Sequence, residues 1–188
     1  MTSATAIADS HARPLCLLAD AGADYRLLRH SPEGRTDLAS LIRGHSLEQA
    51  AKCLVIRVAL GRKQRRYVIA VVPGHCRVDL EAVRDEYGGT NASFAVREVA
   101  EELTGCVSGS IMPVSFDPAV EVVVDPALLE HEEIWFNAGR LDVSVALRTS
   151  GYRALVRPRT ARISEEPALV SASASPSTPA PVPSAVSG

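Results

Sequence analysis

A chain of 188 residues is long enough for one domain with a sizeable core and a short appended tail. A net charge of −2 and only 4% aromatic residues exclude a general pull toward nucleic acid and a platform that stacks successive bases, so any RNA contact must be local. Four cysteines without CxxC spacing and five dispersed histidines, with neither HxxxH nor HExxH, argue against a disulfide framework and against a metal site.

In chain order, residues 1–11 are expected to be a flexible N-terminus without the basic and apolar regions of a secretory signal. Pro14 opens a helix at a first-turn position, where its missing N–H costs nothing, and Gly22 closes it. Residues 24–30 alternate like a short strand, 37–43 are weakly helical, and Ser46 with Gln49 has the spacing of a capping box. Two β-rich apolar runs, 53–59 and 67–72, flank the basic connection 61–66 and read as a hairpin ended by Pro73 and Gly74. Asp79 caps a helix reaching Gly88, and a second helix over 97–103 is closed by Gly105. After the loop 106–116 come a strand over 120–124, a turn begun by Pro126, strands over 134–137 and 143–147, and a last helix over 152–156. Strands occurring both in hairpins and between helices predict an α/β (α+β) domain over 12–160, with helices packed on a mixed sheet. Residues 165–188, a Pro/Ala/Ser mixture without periodicity, are expected to be a disordered tail. No apolar run approaches the ~20 residues that span a bilayer, so the expected location is the cytoplasm, with no membrane partner.

Lys52 stands at the entrance of a buried strand, on the same parity as Leu54 and Ile56. It reads either as a lysine snorkelling at a strand end or as a half-buried cation that awaits an anion. The segment from Gly105 through Gly109 to Pro113 is a turn between apolar flanks. Its glycines make it either a plain tight turn or a bend whose N–H groups face a ligand and hold an oxyanion. Asn137, between two strands, either caps a β-turn or bonds a substrate. Arg62, Lys63, Arg65 and Arg66 form a solvated charged turn or a phosphate contact. No spacing here outlines a Ser-His-Asp or Cys-His site.

Taken together, the segments are more specific than any one alone. Ala51-Lys52-Cys53-Leu54-Val55, then the run from Tyr67 to Gly74 followed by Arg77-Val78-Asp79-Leu80, resemble the YbaK/prolyl-tRNA synthetase-associated domain family. So do Glu101 to Gly105 leading into a GxxxP loop met by Gly109 and Pro113, then Val123-Val124-Asp125 and the run from Phe136 to Arg140. The resemblance implies a mixed, partly barrel-like sheet surrounded by helices, and hydrolysis of the ester joining an amino acid to the tRNA 3′ end. The chain would be a freestanding trans-editing deacylase for small amino acids of the alanine, serine, threonine or cysteine class. It would need no cofactor or metal and would meet the acceptor end of mischarged aminoacyl-tRNA, with a synthetase as a partner in trans and no role for DNA. The alternative is a tRNA- or aminoacyl-binding module without catalysis. Carried over residue by residue, Lys52 and Gly109 would be catalytic, while Ser110, Ile111, Met112, Pro113, Asn137, Gly139 and His30 would bind substrate. Ile111 and Met112 would set the size limit. The chain departs from the family pattern at Val114-Ser115, where a Phe-Gly pair is common after the proline, at His75, where aspartate is common, and over Arg43-Gly44-His45-Ser46 before the lysine, all near the expected pocket or its rim.

Overall fold

A computed structural model describes residues 3–165 of the chain. Helix α1 (Ser3–Asp20) runs through Pro14 instead of starting there. A proline inside a helix forfeits a backbone hydrogen bond, and here packing outweighs that loss, because Leu18 is buried and Leu15 packs beside it against the core. Strand β1 (Tyr25–Arg29) and helix α2 (Thr36–Arg43) follow, with Gly44 in the left-handed conformation closing α2. The Ser46–Gln49 box caps a single 3₁₀ turn (Leu47–Gln49), not an α-helix, with the Ser46 N–H reaching the Gln49 side chain at 3.4 Å.

The expected hairpin is β2 (Ala51–Ala59) against β3 (Arg65–Pro73), paired without a bulge from Ala51 opposite Pro73 to Ala59 opposite Arg65. Next come β4 (Arg77–Val78), helix α3 (Leu80–Glu86), β5 (Asn91–Phe94) and helix α4 (Arg97–Thr104). Asp79 caps α3 by accepting the N–H groups of Glu81 and Ala82. The chain continues through β6 (Val120–Val124), a 3₁₀ turn (Pro126–Glu130), β7 (Glu133–Asn137), β8 (Val143–Arg148) and helix α5 (Thr149–Val156). Two short strands, β9 (Arg159–Thr160) and β10 (Ser164–Glu165), end the described chain. The expected tail lies outside the described residues from 166 onward.

The sheet is mixed, as the sequence pattern requires. One sheet has the order β5-β2-β3-β6-β9, antiparallel at β5-β2-β3 and parallel at β3-β6-β9, and a second has the order β1-β8-β7. A two-stranded piece pairs β10 with β4. The two larger sheets touch through one isolated parallel bridge, Ala50 to Trp135, and among the described residues no ladder closes them into a barrel.

Alternation along the strands of the five-stranded sheet builds two cores. Val55, Ile69, Val71, Val122 and Val124 face the β1-β8-β7 sheet, meeting Ile134, Phe136, Val145 and the buried Tyr152. Ile56, Val58, Val68, Ala70 and Val123 face the other way, onto Val83 of α3 and onto Val78 and Ile163. Buried Asp125 fastens the chain end, accepting the N–H groups of Ala127, Ile163 and Ser164. Lys52 therefore sits where the first residues of β2, the Ala50–Trp135 bridge and the turn after β3 converge. Among the described residues no helix is long and apolar enough to cross a membrane.

Candidate active site

A cavity of about 580 Å³ opens at this convergence. Lys52 at the start of β2, Gly109 and Ile111 of the loop after α4, and Asn137 at the end of β7 all line it. The cation and the main-chain bend, 57 residues apart in sequence by their numbers, thus share one hollow.

Lys52 does not wait for an anion. Its ammonium donates to the Gly74 carbonyl at 3.2 Å and also to the Cys76 carbonyl, both on the turn between β3 and β4. Burial, the largest influence, pushes its pKa below the ordinary lysine value, and Arg77 acts in the same direction. An ammonium has three donors, so one N–H remains for a ligand. Gly74 holds this turn close to its neighbours: a Cβ there would lie 2.6 Å from the Leu47 carbonyl oxygen.

The bend is fixed from both ends. Glu101 of α4 accepts the Ser108 N–H and the Ser108 hydroxyl, each at 2.9 Å, and these bonds hold its carboxyl pKa below the usual range. Gly109 has φ +88°, and a Cβ on it would stand 2.7 Å from the Cα of Gly34. Only glycine fits, for backbone conformation and for space alike. The Ser110 N–H is taken by the Val107 carbonyl, whereas the N–H groups of Gly109 and Ile111 have no acceptor among the described residues.

Asn137 is a strut. Its two N–H donors go to the carbonyls of Glu33, at 3.0 Å, and Gly109, at 2.8 Å, and its oxygen accepts from Arg43 at 2.5 Å. The Ser144 hydroxyl stands 3.1 Å from the same oxygen and is itself hydrogen-bonded to His30, 2.6 Å away. The amide expected to bond a substrate is therefore occupied in positioning Gly109. His30 lies behind it and does not line the cavity.

The remaining residues singled out from sequence fall elsewhere. Ser110 is fully buried, with its hydroxyl on the Val107 carbonyl. Met112 belongs to the core, and the Pro113 carbonyl accepts the Tyr152 hydroxyl at 2.8 Å. Gly139, at φ +70°, shapes the turn between β7 and β8. The basic connection is at the far end of the hairpin from Lys52, and Arg66 there pairs with Glu121 at 3.4 Å and lies over the Tyr87 ring.

Several cavity residues carried no sequence signal: Arg35, Thr36, Asp37, Phe94 and Arg97; Arg43 stood out only as part of a stretch that departs from the family pattern. Arg35 and Asp37 pair with each other at 2.7 Å. Arg43 has no carboxylate partner among the described residues, and burial pushes its pKa down to about 10. A charged residue near the apolar stripe of a short helix is ordinarily read as solvated, so only the fold could reveal it. Among the described residues no group of three or more His, Cys, Asp or Glu side chains stands together as metal ligands.

Residues 18–155 match the aminoacyl-tRNA editing domain family. The chain is 41% identical over 150 residues to the multifunctional Ser/Thr-tRNA deacylase ProXp-y of Escherichia coli (strain K12), covering 79% of this chain and 89% of that protein. In fold it is similar to the hypothetical protein APE2540, with a TM-score of 0.73, 22% identity, and 82% of this chain and 99% of that one covered. It is also similar to a candidate trans-editing enzyme for prolyl tRNA synthetase, with a TM-score of 0.69, 25% identity, and 83% and 97% of the two chains covered. The motifs around Lys52 and Gly109, the fold that joins them and these relatives agree, and the chain belongs to the aminoacyl-tRNA editing domain family.

Proposed function

We propose that this protein is a trans-editing deacylase of the cytoplasm, hydrolysing the ester that joins serine or threonine to the 3′ end of a mischarged tRNA. The observation that carries this reading is the single cavity walled by both Lys52 and the Gly109–Ile111 main chain. The relatedness to the Escherichia coli Ser/Thr-tRNA deacylase supports the choice of amino acid.

An aminoacyl ester needs little activation, and the neighbouring ribose hydroxyl helps to orient the attacking water. The free N–H groups of Gly109 and Ile111 supply donors for the carbonyl oxygen, and the third N–H of Lys52 holds the sugar of the terminal nucleotide in register. Ala39, Ala100, Ile111 and Phe136 set the volume left for the amino acid, while Thr36 and Ser108 add hydroxyl groups. Such a second sieve is needed because one methylene in a pocket discriminates by only about 1–3 kcal/mol. A synthetase whose errors are removed in this way is the partner in trans.

The test is a panel of charged tRNAs incubated with wild type and with Lys52→Ala. Seryl- and threonyl-tRNA should lose their amino acid quickly with wild type, and the substitution should slow this by about 100-fold, the scale of losing one well-placed donor. Equal rates for the two proteins would overturn the reading.

A further inference from the structure

Arg43 is the cavity group that the hydrogen-bond network leaves least satisfied. It is the last residue of α2 and donates through one Nη to the Asn137 oxygen. Its Nε is buried without a partner, and its second Nη makes no hydrogen bond with the described residues and is not fully buried, on a residue that lines the cavity. A buried donor left unpaired costs about 1–3 kcal/mol, and a site that tolerates this commonly has a use for the group. Of the five charged residues in the wall, Arg35 and Asp37 satisfy each other, and Arg97 is exposed at the rim. That leaves Arg43 and Lys52 as two inner cations held only by neutral oxygens.

We propose that Arg43 is a second catalytic residue of this cavity, donating to the ester carbonyl oxygen while it carries negative charge. The inference rests on the deacylase reading. Water adds to the ester carbon, and the carbonyl π pair moves onto oxygen. As the charge returns, the bond from carbon to the ribose oxygen breaks. The ribose oxygen takes one proton derived from the water, the other goes to solvent, and the amino acid departs as its carboxylate. A charge that appears only during this step is best met by a donor already desolvated and fixed. Arg43 is fixed through Asn137, whose amide also holds the Gly109 carbonyl, so guanidinium and bend are placed by one strut. A backbone phosphate of tRNA would instead approach from solvent, where Arg35 and Arg97 are exposed.

The experiment compares single-turnover deacylation of seryl-tRNA by wild type, Arg43→Gln and Arg43→Lys. Both variants keep a terminal N–H donor but end short of the arginine Nη that reaches Asn137, and only lysine keeps the charge. Arg43→Gln should lose about 100-fold in the rate at saturation with its half-saturating concentration within threefold, and Arg43→Lys should recover at least tenfold of that loss. Equal rates for the two variants would assign Arg43 to support of Asn137 alone. A loss confined to the half-saturating concentration, with a weaker salt dependence, would make it a phosphate ligand. Failure of both variants to unfold cooperatively would make it structural. Each of these three outcomes overturns the proposal. Wild type that hydrolyses no charged tRNA at all would sink the deacylase reading itself, a result separate from any ranking of the variants.

Discussion

At Gly109 one hydrogen atom decides both conformation and packing. An alanine there must hold φ near +88° and push its Cβ to within 2.7 Å of Gly34 Cα and 2.8 Å of Gly34 O. Backbone strain of this kind costs about 1–3 kcal/mol, and the relief available is a shift of the bend away from residues 33 and 34. Gly109→Ala should therefore lower the urea midpoint and, by misplacing the N–H groups of residues 109 and 111, slow single-turnover deacylation by about 100-fold. Unchanged turnover in a folded Gly109→Ala protein would show that the bend takes no part in the chemistry. Lys52 and Gly109 were legible in the sequence because each lies in a motif whose neighbours also match the family. The roles of Arg43 and Glu101 were not, although Glu101 heads a matching motif, since they depend on Asn137, 94 residues later than Arg43, and on Ser108 across a helix end. Asn137 was legible as polar and important, yet its role as a strut appears only when both ends of its amide are traced.

Helix α2 has little internal support: its Leu41 is 77% exposed and its only buried residues are Ala39 and Ser40. Just beyond its end, His45 stacks on Trp135 of β7 with ring centroids 4.8 Å apart, and Arg26 covers the same indole. Burial pushes the His45 pKa below its ordinary value, and Arg43 adds to this, while the Ser46 carbonyl and Glu133 act against it. A histidine whose folded-state pKa is depressed contributes stability that is present above the unfolded value of about 6.5 and is lost as pH falls through the folded one. Wild type should accordingly lose unfolding free energy between pH 7 and pH 5, and His45→Phe should show a smaller loss over that window. Identical pH slopes would mean that protonation of His45 is not linked to unfolding. The elements read from sequence were those with strong local patterning: the β2–β3 hairpin, the helices capped at Asp79 and closed at Gly105, and the strands at 120–124 and 143–147. Strands β5, β9 and β10 escaped because they are short and gain their order from partners far along the chain, such as Ile56 opposite Phe94 and Val78 opposite Ser164. The continuation of α1 through Pro14 escaped for a related reason, since it reflects tertiary packing of Leu15 and Leu18 that local rules do not contain.

Among the described residues, positive charge gathers both in the cavity and at the tip of the β2–β3 hairpin. Seven residues separate Lys52 from Ala59 along β2, and the pairing with β3 is regular throughout, so the tip is about 24 Å from the cavity at ~3.4 Å per residue. The acyl end of a substrate cannot be in both places. Arg66 is already engaged by Glu121 and the Tyr87 ring, which leaves Arg62, Lys63 and Arg65, all exposed, as the cations free to meet phosphate. With a net charge of −2 the protein has no overall attraction to RNA that would mask a local contribution. Replacing these three residues with glutamine should leave the saturated rate on seryl-tRNA unchanged, because the cavity is untouched. It should raise the half-saturating concentration of full-length tRNA by about 3- to 10-fold and flatten its salt dependence, by up to roughly 0.9 in logarithmic slope for each phosphate contact removed. A short aminoacylated minihelix too small to reach the tip should be processed equally by both proteins. If full-length tRNA and minihelix respond alike, the hairpin tip is only a solvated turn, and the whole electrostatic hold on the substrate resides in the cavity and its rim.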